Sequence, residues 1–276
     1  MNATHLDCSL ADANAQPSIG VFDSGVGGLS VLRALHRRLP SAPMVYVGDV
    51  SHAPYGERPV AEILERCERI VGYLQRCGAR LIVVACNTAT VTGITHLRQQ
   101  WSGLTFVGVE PGIKPAVAHS RIRRIAVMTT PTTANSERLR RLIVHHAAGR
   151  LVRVVPCPGL AAAIERGATH GTELLGVLQP CCDRVREADV DTLVLGCTHY
   201  AFVADTIRSL LGEGITLIDT ASAIAARVAS LWQDSGVATD GAPVVRVMST
   251  GAVDPMRLLL AQCPGIQTTP VEPLAL

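Results

Sequence analysis

The sequence predicts an α/β protein of two similar domains with mainly parallel sheets, related by a pseudo-twofold axis, with the active site in the cleft between them. Three observations carry that prediction. Short β-branched apolar runs recur along the chain, each ending in small polar residues. Helical patterns separate the runs. Two pairs of runs echo one another across the halves of the chain.

In order, the runs are IGVF (19 to 22), MVYV (44 to 47), LIVV (81 to 84), FVGV (106 to 109), IAVM (125 to 128), LVRVV (151 to 155), TLVLG (192 to 196), ITLI (215 to 218) and VVRVM (244 to 248). Strands alternating with helices need long crossovers, so the sheets should be parallel and covered on both faces. Val60 to Arg76 and Ser136 to Ala147 have amphipathic helical spacing, the second with Ser136 placed as N-cap. Residues 1 to 17 are polar and aperiodic and are read as a mobile extension. The last dozen residues, rich in Pro and Thr, are read as a terminal strap. The echo pairs RLIVVACNTAT (80 to 90) with DTLVLGCTHYA (191 to 201), and IGVFDSG (19 to 25) with RIAVMTTPT (124 to 132).

Composition removes several functions. Charged residues are 17% of the chain and the formal charge is only +2, which suits neither a disordered segment nor an electrostatic nucleic-acid binder. Aromatics at 3% leave little surface for stacking bases. No apolar run reaches the ~20 residues of a membrane helix, and residues 1 to 17 lack a secretory pattern. Nine cysteines without a C-x-x-C pair suit reduced thiols in a cytoplasm better than a zinc site, so no metal is expected. Vicinal Cys181 and Cys182 read as buried helix residues. Lys114 is the sole lysine, between an expected turn at Pro111-Gly112 and Pro115, which is a poor setting for a pyridoxal Schiff base. Amino-acid chemistry here would have to proceed without that cofactor.

The sharpest feature is the pair Cys86-Asn87-Thr88 and Cys197-Thr198-His199, each after an apolar strand and before a helical pattern. A helix N-terminus favours thiolate, so both thiols are expected to titrate nearer neutrality than a free cysteine. One from each half could sit on opposite faces of a small substrate, an arrangement suited to stereoinversion at carbon. The alternative is that both are small buried hydrophobes. Asp23-Ser24 with Gly25, Gly27 and Gly28 misses the G-x-G-x-x-G spacing, so a dinucleotide is not expected. Asp23 could hold charge near a substrate ammonium, or simply cap the following helix. Asn87, Thr88 and Thr198 put neutral donors where carboxylates bind without a salt bridge.

Taken together, GVFDSGVGGLSVL (20 to 32), YVGDVSHAPYG (46 to 56), VVACNTAT (83 to 90), GVEPGIKPA (108 to 116), PCPGLAAAIE (156 to 165) and LVLGCTHY (193 to 200) resemble the cofactor-independent aspartate/glutamate racemase family, its glutamate-acting branch most closely. The resemblance spans residue 19 to about residue 255. It implies an isomerase that interconverts L- and D-glutamate without a cofactor and supplies D-glutamate for peptidoglycan. Cys86 and Cys197 are then the acid/base thiols, with Asp23, His199 and Glu165 assisting. Asp23, Ser24, Tyr55, Gly56, Asn87, Thr88, Thr198 and His199 would contact substrate, Tyr55 and Gly56 through backbone N–H groups at its side-chain carboxylate. His199 also favours glutamate, because related aspartate racemases tend to carry a carboxylate there. Glu165 is given a partner in His199 or Cys197 by resemblance alone; by itself its position suggests a solvated helix charge. The chain is divided into residues 18–109 plus 220–276 as one domain and 110–219 as the other. A cytoplasmic homodimer is implied, with no nucleic-acid or membrane partner. Activation by a cell-wall precursor is left open, as are an aspartate or hydantoin substrate and a binding module without turnover.

Overall fold

The computed structural model describes residues 16–237 and 244–276; the expected extension therefore lies almost wholly outside the described residues. The chain begins with β1 (Ser18–Asp23), α1 (Leu29–Arg38), β2 (Met44–Gly48), α2 (Val60–Arg76), β3 (Ala79–Val84), α3 (Asn87–Gln100), β4 (Thr105–Gly108) and α4 (Ile113–His119). There follow β5 (Arg124–Thr129), α5 (Pro131–Ala134), α6 (Glu137–His146), β6 (Leu151–Pro156), α7 (Leu160–Glu165), α8 (Gly171–Glu187), β7 (Thr192–Leu195), α9 (Ala204–Leu211) and β8 (Thr216–Ile218). The return to the first sheet is α10 (Ala221–Asp234), β9 (Val245–Ser249), α11 (Asp254–Leu260) and β10 (Val271–Pro273).

Two sheets result, ordered β10-β9-β2-β1-β3-β4 and β6-β5-β7-β8, and every ladder is parallel. The order β2-β1-β3-β4 repeats as β6-β5-β7-β8, so the paired motifs of the sequence fall on equivalent strands: β1 with β5, and β3 with β7. In each sheet the winding reverses between those two strands. Open parallel sheets bind ligands beyond the carboxyl ends of strands at such a reversal.

All nine expected strands are present, within two residues at each end. Both expected helices form, and Ser136 Oγ accepts from the Leu139 N–H as the predicted cap. Cys181 and Cys182 lie buried in α8. Three expectations need correction. The terminal strap contains β10, which extends the first sheet by pairing with β9; three residues around a proline leave too short a pattern to read as a strand. Lys114 sits inside α4 together with Pro115 rather than in a loop between a turn at Pro111-Gly112 and that proline, because a proline is tolerated in a helix's first turn. Asp23 does not cap α1, whose first turn has no side-chain cap. Among the described residues no helix is long and apolar enough to cross a membrane.

Candidate active site

Asp23 is the last residue of β1 and is fully buried. Its Oδ1 accepts from the Gly25 N–H at 2.9 Å and from Ser24 Oγ at 3.2 Å, which folds the chain back into a tight turn. Tyr46 Oη donates to the Gly25 carbonyl at 2.6 Å and braces that turn from β2. The glycines there are needed for space: a Cβ on Gly25 would collide with the Glu165 carboxylate, and one on Gly27 with the His199 ring.

Cys86 follows β3 and caps α3, its Sγ accepting from the Ala89 N–H at 3.4 Å and lying 3.6 Å from Ser24 Oγ. Cys197 follows β7 at the start of a 3-10 turn over Thr198–Val203, with its Sγ 3.5 Å from His199 Nδ1. The other ring nitrogen, His199 Nε2, is paired to Glu165 Oε1, which also accepts from the Val26 N–H at 2.9 Å. Thr198 Oγ1 donates to Asp23 Oδ2 at 2.9 Å. One chain of contacts thus runs from Cys86 through Ser24, Asp23 and Thr198 to the Cys197 segment, and on through His199 to Glu165. Cys197 is close enough for its charge to bear on the Cys86 thiol.

Burial sets the electrostatics. It pushes the Cys86 thiol up to about 12, with the Asp23 carboxylate adding to the rise and the Ala89 amide and Ser24 offsetting only part of it. The expectation of a thiol drawn toward neutrality by its helix therefore fails for Cys86: desolvation outweighs the helix terminus. Burial also raises Asp23 above the usual carboxylate range, while the neighbouring His199 opposes that rise. For His199, burial alone would lower the pKa; the charges of Cys197 and Glu165 and their hydrogen bonds override it and hold the imidazole well above its ordinary value. The ring thus lies between Cys197 Sγ on one nitrogen and the Glu165 carboxylate on the other.

The remaining expected residues lie around this chain. Thr88 Oγ1 is 3.1 Å from Thr130 Oγ1, which joins the start of α3 to the end of β5. Asn87 Nδ2 donates to the Val109 carbonyl at 3.3 Å, so part of its side chain is occupied. Tyr55 and Gly56 form a 3-10 turn with Glu57; Gly56 packs on Thr130, and Tyr55 Oη is directed to Asp49 at 2.7 Å. Glu165 is 8% exposed and engaged by His199, which overturns the solvated-charge reading: the one-turn helix α7 ends against the β1–α1 turn rather than in water. Thr130, Tyr46 and Asp49 escaped the sequence reading. For Thr130 a signal existed in the TTPT segment that echoes the DSG segment. Asp23, Glu165 and His199 also bring ligand-type atoms within 4.8 Å of one another. The bonds just described tie these atoms to each other and to the backbone, as suits a proton-handling network. Among the described residues no Arg or Lys hydrogen-bonds to any of Asp23, Ser24, Cys86, Glu165, Cys197 or His199.

Two buried thiols at equivalent strand ends, with a carboxylate between them and an imidazole on one, are the groups an α/β acid/base isomerase would need. The Asp/Glu/Hydantoin racemase family profile matches residues 19–228, and the chain belongs to that family. Among its relatives are the glutamate racemases of Ralstonia nicotianae, 42% identical over 95% of this chain and 98% of the relative, and Aliarcobacter butzleri, 41% identical over 86% and 92%. The fold matches the Escherichia coli glutamate racemase solved with L-glutamate and the activator UDP-MurNAc-ala, at TM-score 0.82, 30% identity, 94% of this chain and 98% of that one. It also matches the Francisella tularensis enzyme solved with D-glutamate, at TM-score 0.81, 25% identity, 95% and 98%.

Proposed function

We propose that this chain interconverts L- and D-glutamate by removing the Cα proton on one face and returning a proton on the other, with Cys86 and Cys197 as the two thiols. The observation that carries the reading is their placement after β3 and β7, equivalent strands of two sheets, with Asp23 hydrogen-bonded toward both. No cofactor is needed in this reading. Carbanion formation beside a carboxylate is difficult, so the barrier must fall through positioning, exclusion of water and donors at the starts of α3 and of the turn after Cys197.

The Cys86 thiol is neutral in the empty site, and the substrate's ammonium offsets the part of the cost of ionising it that burial adds. A rise from 9.0 to about 12 opposes ionisation by about 4 kcal/mol. A unit positive charge about 4 Å away, at an effective dielectric of about 20, returns about 4 kcal/mol. Asp23 receives that ammonium; on the opposite face His199 exchanges charge with Cys197, and Glu165 holds the imidazolium. The substrate α-carboxylate is received by the N–H groups and hydroxyls of Asn87, Thr88 and Thr198, and its side-chain carboxylate by the N–H groups of Tyr55 and Gly56.

Residues 18–109 with 220–276 act as one domain and 110–219 as the other, closing on substrate. The enzyme works in the cytoplasm as a homodimer and supplies D-glutamate to peptidoglycan, and a UDP-linked muropeptide precursor activates it as in the E. coli relative. The test is racemisation in D₂O without cofactor, stopped at low conversion. Product should carry deuterium at Cα while remaining substrate stays unlabelled, from either enantiomer. Early label in the substrate, or no loss of optical activity from L-glutamate, would overturn the reading.

A further inference from the structure

Asp49 follows β2 and is fully buried; its N–H donates to the Asp23 carbonyl at 3.0 Å, yet its side chain lies outside the network that links the thiols. It gathers four donors. Arg66 of α2, itself 5% exposed, grips it through Nε at 3.0 Å and Nη2 at 2.8 Å; Thr250, after β9, donates at 2.7 Å, and Tyr55 Oη at 2.7 Å. A two-pronged guanidinium–carboxylate pair fixes direction as well as distance. The carboxylate is therefore an anchor held from two other elements, and the Tyr55 hydroxyl is attached to it.

The turn that carries Tyr55 is held on its other side by Thr130 and Thr132, at the start of α5 just after β5 of the second sheet. Thr132 Oγ1 donates to the Gly56 carbonyl at 2.7 Å, and a Cβ on Gly56 would lie 3.0 Å from Thr130 Cβ. Thr130 in turn meets Thr88, two residues from Cys86. The Glu57 and Arg58 N–H groups close the turn onto Pro54 and Tyr55. With the Tyr55 side chain, the Gly56 carbonyl and those two N–H groups occupied, the N–H groups of the turn that no described residue engages are the leading ones of Tyr55 and Gly56.

We propose that Asp49 is a positioning residue that sets the place of those two N–H groups, through Tyr55 Oη, and so determines how tightly the site binds the substrate's side-chain carboxylate. The proposal rests on the glutamate reading given above. It assigns Asp49 to binding rather than to proton transfer, because among the described residues its side chain makes no hydrogen bond to either thiol or to Asp23, Ser24, Thr198 or His199.

Tyr55→Phe removes the one hydroxyl and leaves the ring and the ion pair. It should raise KM for both glutamate enantiomers roughly ten-fold, the size of one lost hydrogen bond to an ionised group, with kcat changed by less than about two-fold. Inhibition by D-norvaline, which has a methyl where glutamate has the side-chain carboxylate, should be unaltered. Asp49→Asn, or Asp49→Asn with Arg66→Met where the single change leaves Arg66 unpaired and the protein unfolded, should raise KM in the same way. Combined with Tyr55→Phe the effects should not add. A fall in kcat at constant KM, weaker D-norvaline inhibition in step with glutamate, or additive effects would overturn the proposal. If the wild-type enzyme holds D-norvaline as tightly as D-glutamate, the side-chain carboxylate is not read at this turn, and the failure lies with the binding reading beneath the proposal.

Discussion

Cys86 stands at the start of a helix, yet its thiol lies near 12 because a helix terminus supplies only about 1 to 2 kcal/mol and burial costs more. Ligand-free enzyme at neutral pH should therefore show no far-ultraviolet thiolate absorbance from Cys86, seen as no difference from Cys86→Ser, and saturating D-glutamate should bring the pH at which that difference appears down from about 12 toward 9.0. On the other face, Glu165→Gln removes the carboxylate that helps hold the His199 proton. The imidazole should titrate lower and kcat/KM should fall by roughly 10²-fold, the scale of one impaired acid/base group. Both directions must lose equally in kcat/KM, since enantiomers have the same free energy in water. Unequal losses would expose an assay fault, whereas an unchanged rate would remove Glu165 from the mechanism. The thiols, Asp23 and His199 were legible because short motifs at strand ends place them. Glu165's role came only from resemblance, since a residue that ends a six-residue helix gives no local sign of what packs over it.

At the level of elements, the doubled order β2-β1-β3-β4 and β6-β5-β7-β8 was legible because a buried parallel strand is a run of apolar residues with an abrupt polar end. β10 was not, because three residues carry no period. The DSGVGG turn was half legible. Its glycines excluded a dinucleotide motif, but their use depends on side chains that arrive from Glu165 and His199, more than a hundred residues away in sequence. Gly25→Ala tests that use. The new methyl would occupy the place of the Glu165 carboxylate, so Glu165 must swing away from both the Val26 N–H and His199. The variant should fold, because the clash is with the far end of a side chain. It should lose activity by at least the ~10²-fold expected for Glu165→Gln, and adding Glu165→Gln to it should cost little more. Additive losses would show that the glycine serves some other contact.

Across the whole molecule the same buried groups fix how stability depends on pH, and the signs can be worked out singly. Asp49 lies below its ordinary 3.8 because hydrogen bonds from Arg66, Tyr55 and Thr250 override its burial. It stabilises the fold above that value, and the contribution is lost as pH falls through its lower folded value. Asp23, raised above 3.8 by burial, has the opposite sign: the folded state holds its proton longer, so stability declines as pH rises through its titration. The two oppose one another in the acid range. On the alkaline side the contributions share a sign. His199, held above 6.5, contributes fully below that pH and loses its share as pH rises through its folded value. Cys86 keeps its proton from 9.0 to about 12 while the unfolded chain gives its proton up, and Cys182, raised by burial to about 12, behaves alike. Denaturant unfolding of the ligand-free protein should thus show a shallow acid limb and a steep alkaline one. In Cys86→Ala the alkaline slope above about pH 9 should be reduced by about 1.4 kcal/mol per pH unit, the contribution of one proton. An unchanged slope would mean that Cys86 ionises as readily in the fold as out of it, and the substrate's ammonium would lose its part in forming the thiolate.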